Sequence, residues 1–263
     1  MNLNLFAKHE KSFLEAKAQE WGWYDDNMKV FVGRMLSTSS DLTNVKLGEE
    51  LNFRNRHGEF IPNKVADTWN DNIKPRLIEV GCPPGDWKRT QRWLQEEVFP
   101  GWVKLFAWQG LWYLTKPHSE IGVEIIRKPS EAGALPPDDY EPFQVPIGAN
   151  VRYQIPMNKG EHLILLEKDG NHDIFCLRPS RHEKYKVGEP VAKSELIAIV
   201  SSDRPQVEWL ETAASAKGFL AVNHQQIEGL MNWVNKAQNK CQLWQFEVEI
   251  VMPKIDKVVT VTF

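Results

Sequence analysis

Two short apolar runs, His162–Lys168 and residues 171–177, are separated only by the pair Asp169-Gly170. An Asp-Gly pair between runs rich in Ile, Leu and Phe supplies the turn chemistry of a β-hairpin, so the middle of this chain is expected to fold back on itself as two antiparallel strands. Strand signals flank the hairpin. Residues 151–155 precede it, ELIAIVS at 195–201 follows it as a short buried strand, and Gly148, Gly160, Gly170 and Gly188 punctuate the turns.

Beyond Pro205 the period changes. Residues 207–217 read as helix, and Asn223 with Gln226 forms a capping box opening a second helix with Ile227, Leu230, Met231, Val234 and Ala237 on one face. From Gln242 to Met252 the even positions hold Trp244, Phe246, Val248, Ile250 and Met252, while Gln245, Glu247 and Glu249 face the other way, as in a half-solvated antiparallel strand. Residues 257–263 (KVVTVTF) read as one more strand. These two strands are expected to complete the sheet begun at Phe143, making the second domain one cooperative unit.

The front of the chain is built differently. Of eleven Trp residues, Trp21, Trp23, Trp69, Trp87, Trp93, Trp102, Trp108 and Trp112 precede residue 113. Residues 1–36 read as two helical pieces, with Asp25 and Asp26 placed to cap the second. A loop at 52–58 (NFRNRHG) carries Arg54, Arg56 and His57. Val65, Trp69, Ile73, Leu77 and Val80 then recur at helical spacing, but Pro75 removes a backbone donor inside that run, so the helix must kink or restart there. Asp86 caps a further helix from Trp87 to about Phe99, with Trp87, Thr90, Leu94 and Val98 on one face and Lys88, Arg89, Arg92 and Gln95 on another. After Pro100-Gly101 the aromatic run at 102–115, interrupted by Gln109-Gly110, reads as a tight hairpin. Helix, turn, helix and hairpin is the element order of a winged-helix domain.

The expected class is therefore α+β: an N-terminal helical, winged-helix-like domain at 1–135, then an antiparallel, sandwich-like β-rich domain with two helices at 136–263. The Pro-rich stretch from Lys116 to Glu141 is the linker candidate, and the run Ile121 to Ile126 is expected as an edge strand of the first domain.

A net charge of −3 excludes a chain that is basic overall, so contact with nucleic acid would need a local patch. Arg54, Arg56, His57, Lys88, Arg89 and Arg92 are the candidate nucleic-acid-binding residues, and Lys88 and Arg89 in a first helical turn oppose the helix dipole, which a phosphate partner would offset. Arg178, Arg181 and Arg204 form a weaker basic set. Cys82, Cys176 and Cys241 are odd in number and lack CxxC spacing, which argues for a reducing, cytoplasmic compartment and against a disulfide frame or zinc cluster. The N-terminus has no apolar signal region, and no run approaches the roughly 18 apolar residues of a membrane span. Phosphate-loop, dinucleotide, zincin and serine-hydrolase motifs are missing, and no cofactor is implied. Cys176 beside His162, His172 or His182 is the one candidate nucleophile, although a strand cysteine more often fills a core. His172, Asp173, His182 and Glu183 are the only local metal-type cluster, at a spacing that fits no ligand pattern.

Pro146 to Gly148, Leu163 to Asp169, the tetrapeptide Leu177-Arg178-Pro179-Ser180 and Leu196 to Pro205 together resemble a bacterial, notably cyanobacterial, domain of unknown function often appended to caspase-like peptidases or kinases. The resemblance implies a non-catalytic accessory module in a conflict or signalling system. Three readings follow: a non-catalytic regulatory protein that recognises a protein partner, a DNA-binding regulator using 62–115 as a winged helix, and a cysteine-dependent hydrolase.

Overall fold

The computed structural model describes residues 3–39, 41–126, 143–177, 185–186, 193–210, 219–237 and 240–252. The chain divides into two compact units, residues 1–103 and 104–263. The boundary expected near residue 135 falls in 127–142, outside the described residues, whereas this division falls inside a helix.

The first unit is helical: α1 (Leu3–Glu20), α2 (Asp25–Met35), a short 3-10 turn (Ser37–Ser39), α3 (Asn44–Glu50), α4 (Lys64–Thr68), α5 (Lys74–Glu79) and α6 (Trp87–Trp93). Asp86 caps α6 as expected, its carboxylate accepting from the Arg89 amide at 2.9 Å. Asp25 and Asp26 do not cap α2 but form its first turn, and Asp26 pairs with Lys64 at 3.0 Å. The Trp density is a core property, because Trp21, Trp23, Phe31 and Trp93 pack ring against ring, as do Phe6, Phe13, Phe99 and Trp102. Such edge-to-face and stacked aromatic pairs add about 0.5–1.5 kcal/mol each beyond their buried area.

Two π turns interrupt this helical run, Trp69–Ile73 between α4 and α5, and Leu94–Val98 after α6. The buried positions explain them: Val65, Thr68, Ile73 and Leu77 step by three, five and four, and Thr90, Leu94, Phe99 and Val103 by four, five and four. An α-helix turns about 100° per residue, so a five-residue step overshoots a full turn by roughly 140° and would carry the next apolar side chain out of the core. The wide i→i+5 turn absorbs the extra residue. This is the form taken by the interruption expected at Pro75.

The expected hairpin at 102–115 is instead helix α7 (Phe99–Leu114), which runs straight through Pro100-Gly101 and Gln109-Gly110. Pro100 follows closely on the Leu94–Val98 π turn, so its missing N–H falls against the Glu96 carbonyl of that wide turn rather than inside a regular α-helix. Gly110 is no turn residue but a contact, since a Cβ there would lie 2.7 Å from the Met231 sulfur. With helix where the wing should be, the winged-helix element order is not realised at 62–115.

The second unit is β-rich, and its strands are β1 (Lys116–Pro117), β2 (Gly122–Ile126), β3 (Gln144–Pro146), β4 (Asn150–Gln154), β5 (His162–Lys168), β6 (Ile174–Leu177), β7 (Tyr185–Lys186), β8 (Lys193–Ser201), β9 (Phe219–Ala221) and β10 (Cys241–Val251). A seven-stranded, mostly antiparallel sheet has the order β1-β10-β8-β5-β6-β9, with β3 joining β10 in parallel after β1. The central hairpin is β5 and β6, but its turn is longer than Asp169-Gly170 alone. The Asp169 carboxylate accepts from the Asn171 and Asp173 amides, and the left-handed residue is His172 (φ 66°) rather than the glycine.

Strand β10 alternates as its sequence requires and pairs along β8, closing the sheet begun at residue 143. The strand expected at 257–263 lies outside the described residues. Residues 208–210 of the helix expected at 207–217 are helical, and 211–218 lie outside the description. Helix α8 (His224–Lys236) carries the expected capping box. One face of the large sheet (Ile164, Leu166, Ile197, Ile199) packs under α8 and residues 107–111 of α7. Its other face (Leu165, Leu196, Ala198, Trp244, Phe246) packs against a three-stranded sheet β2-β4-β7. Strand β2, expected at the edge of the first domain, therefore belongs to the second unit and pairs with β4.

Candidate functional site

The basic residues singled out in the sequence fall into two exposed sets within the first unit. Arg54, Arg56 and His57 lie on a small hairpin whose sides meet at an Arg54–Phe60 bridge. Asn55 shapes its tip by accepting from the His57 and Glu59 amides at 2.8 and 3.0 Å. Arg54 is spent on the same loop, donating to the Asn52 side chain and the Gly58 carbonyl, both at 2.8 Å. Arg56 donates to the His57 ring at 3.1 Å. On α6, the Lys88 ammonium lies over the Trp87 ring at 5.4 Å, and the Arg89 stem lies against Gly85. No hydrogen bond, ion pair or ring contact among the described residues joins the two sets.

A cation the sequence reading passed over is buried nearby. Arg34 stacks on Trp87 at 5.4 Å and donates to the Leu42 carbonyl at 2.8 Å and to the Asn44 side chain. Burial pulls its pKa below the ordinary value. These bonds tie α2 to the start of α3, and Gln91 ties α6 to the end of α2 by donating to the Met35 carbonyl at 3.1 Å.

Cys176 is a core residue. It is 4% exposed, and burial pushes its thiol up to about 12, so it is not ionised near neutral pH and has no nucleophilic character there. Its cross-strand partners are Leu166 and Leu220, while His162 and His172 are exposed at the ends of the hairpin strands. Among the described residues no group of three or more His, Cys, Asp or Glu could hold a metal ion; His182 and Glu183 of the suggested cluster lie outside them, as do Arg178 and Arg181. Arg204 is exposed.

The surface that stands out lies on α7. Its sixteen residues include a single charge, Lys104, which pairs with Asp173 at 3.0 Å. Ala107, Trp108 and Leu111 are buried, and the Trp108 indole donates to Glu195 at 2.8 Å while Glu195 also pairs with Lys168 at 2.8 Å. Thr115 binds the Gln245 side chain just past the helix end. With the inner face anchored in this way, Phe106, Gln109 and Tyr113 form an outward strip at three- and four-residue spacing, with Tyr113 85% exposed and Leu114 exposed beside it. A helix apolar all round is ordinarily buried on all sides. The signal is present in the sequence, sixteen residues with one charge, but Gln109-Gly110 in its middle gives the same run the look of a hairpin.

No protein-family model and no curated protein matches this sequence. Fold and surface define an α+β protein in which no helix among the described residues is long and apolar enough to cross a membrane.

Proposed function

We propose that this chain is a non-catalytic regulatory protein that recognises a protein partner, in a bacterial signalling or conflict system of the kind its resemblance implies. The observation that carries the reading is the outward strip of α7. Tyr is among the residue types that dominate binding energy at protein interfaces, and covering Tyr113, 85% exposed on this charge-poor helix, is worth about 1.5–3 kcal/mol. The buried, un-ionised thiol of Cys176 counts against the hydrolase reading, and the helix at 99–114, standing where a wing would be, counts against the DNA reading.

The test compares three full-length forms as bait in native extract: the unaltered chain, Tyr113→Glu, and a charge-reversed form with Arg54, Arg56, Lys88, Arg89 and Arg92 replaced by Glu. A protein retained by the unaltered and charge-reversed forms and lost with Tyr113→Glu is the expected result. Salt-sensitive retention of DNA that only charge reversal abolishes, or turnover by the purified chain, would overturn the reading.

A further inference from the structure

We infer that Pro75 and Pro100 pin the two π turns in place, making each a fixed register-shift point in its helix. The buried positions, with their five-residue steps from Thr68 to Ile73 and from Leu94 to Phe99, call for one extra residue in each helical run, but they do not say where along the run the wide turn must sit. A proline at position i cannot donate to the carbonyl of i−4, and its ring presses on that carbonyl in an α-helix. Here the i−4 residues are Asp71 and Glu96, in each case the third of the five residues of the π turn.

Widening the turn at that point moves the carbonyl away from the ring. The two segments, WNDNIKP and LQEEVFP, share no sequence beyond the proline. Their geometry is nonetheless the same: the residue before the proline donates to the carbonyl six positions before the proline, Lys74 to Trp69 and Phe99 to Leu94. Asn70, Asp71, Glu96 and Glu97 are exposed, so a carbonyl left without an amide donor in either turn is open to hydration.

The test is Pro100→Ala in the full chain, read by hydrogen-bond couplings and amide exchange over residues 94–102, with Pro75→Ala read in the same way over 69–76. The fold is expected to persist, because the extra residue remains. The Phe99-to-Leu94 bond should weaken and exchange from Gln95 to Phe99 should rise several-fold as the wide turn migrates. Deleting Glu96 should be tolerated together with Pro100→Ala, where the helix closes into α geometry with its apolar stripe in phase, and should destabilise the chain when Pro100 is kept. Unchanged bonding and exchange in both proline variants, equal tolerance of the deletion with and without Pro100, or loss of the fold in both proline variants would each overturn the inference.

Discussion

Replacing Glu195 with Ala tests what holds α7 on the sheet. Glu195 is the cross-strand neighbour of Lys168, and one carboxylate oxygen serves both the Lys168 ammonium and the Trp108 indole, each at 2.8 Å. Trp108 is 1% exposed and the Lys168 side chain 14%. The substitution leaves a buried indole N–H without an acceptor and a mostly covered ammonium without its counter-charge. An orphaned buried donor costs about 1–3 kcal/mol, so the variant should lose about 2–3 kcal/mol. Lys104→Ala is the control on the same helix. It breaks an ion pair whose Asp173 side chain is 61% exposed, and exposed pairs are worth about 0–1 kcal/mol. Both variants are compared by urea unfolding followed by far-ultraviolet circular dichroism, at matched ionic strength. Adding Trp108→Phe closes a double-mutant cycle in which the orphaned donor is removed with its acceptor, so the double variant should be more stable than the two single losses predict. A Glu195→Ala loss no larger than that of Lys104→Ala, or strict additivity in the cycle, would refute the account.

Glu167 gives a pH-dependent prediction. Burial raises its pKa above the ordinary 4.5, the nearby Asp169 charge adds to the rise, and the Ser194 hydroxyl opposes it without completing a well-formed hydrogen bond. The folded state therefore holds this proton more tightly than the unfolded chain, so the group's favourable contribution is complete below 4.5 and is lost as pH rises through the raised folded value. Glu167→Gln should flatten that part of the stability profile and stabilise the chain at neutral pH by on the order of 1 kcal/mol, measured by unfolding midpoints from pH 4 to about 8; a variant less stable at neutral pH would contradict the assignment. With its thiol near 12 and buried, Cys176 should be alkylated far more slowly in the folded chain than in urea, as followed by mass spectrometry, and equal rates would place it at the surface.

The basic candidates show what one-dimensional reading does poorly. Arg54 looks like a ligand-facing cation in the sequence, yet its guanidinium is consumed in shaping its own loop, while Arg34, inside an apolar helix pattern, is the buried cation stacked on Trp87. Nothing in local spacing distinguishes a guanidinium that bonds its own backbone from one offered to a partner. The α7 strip was hidden for a related reason: Gly110 reads as punctuation until Met231 is seen to occupy the space that a side chain would need.

What the sequence determined by itself are the elements whose code is local. The two-residue alternation of 242–252 and the Asn223–Gln226 capping box each act within a few residues and each appears where expected, while the reversal at Asp169 is present but runs on to Asp173, with His172 rather than Gly170 left-handed. The tertiary structure alone decided whether 99–114 would be helix or hairpin, because that run is apolar enough for either and only burial against Ile164, Ile197 and Leu230 selects the helix. It also decided on which side of the chain's division β2 would pair, and how the five-residue step from Thr68 to Ile73 would be kept in phase. In these cases the sequence holds the residues, but the choice rests on contacts between segments far apart along the chain.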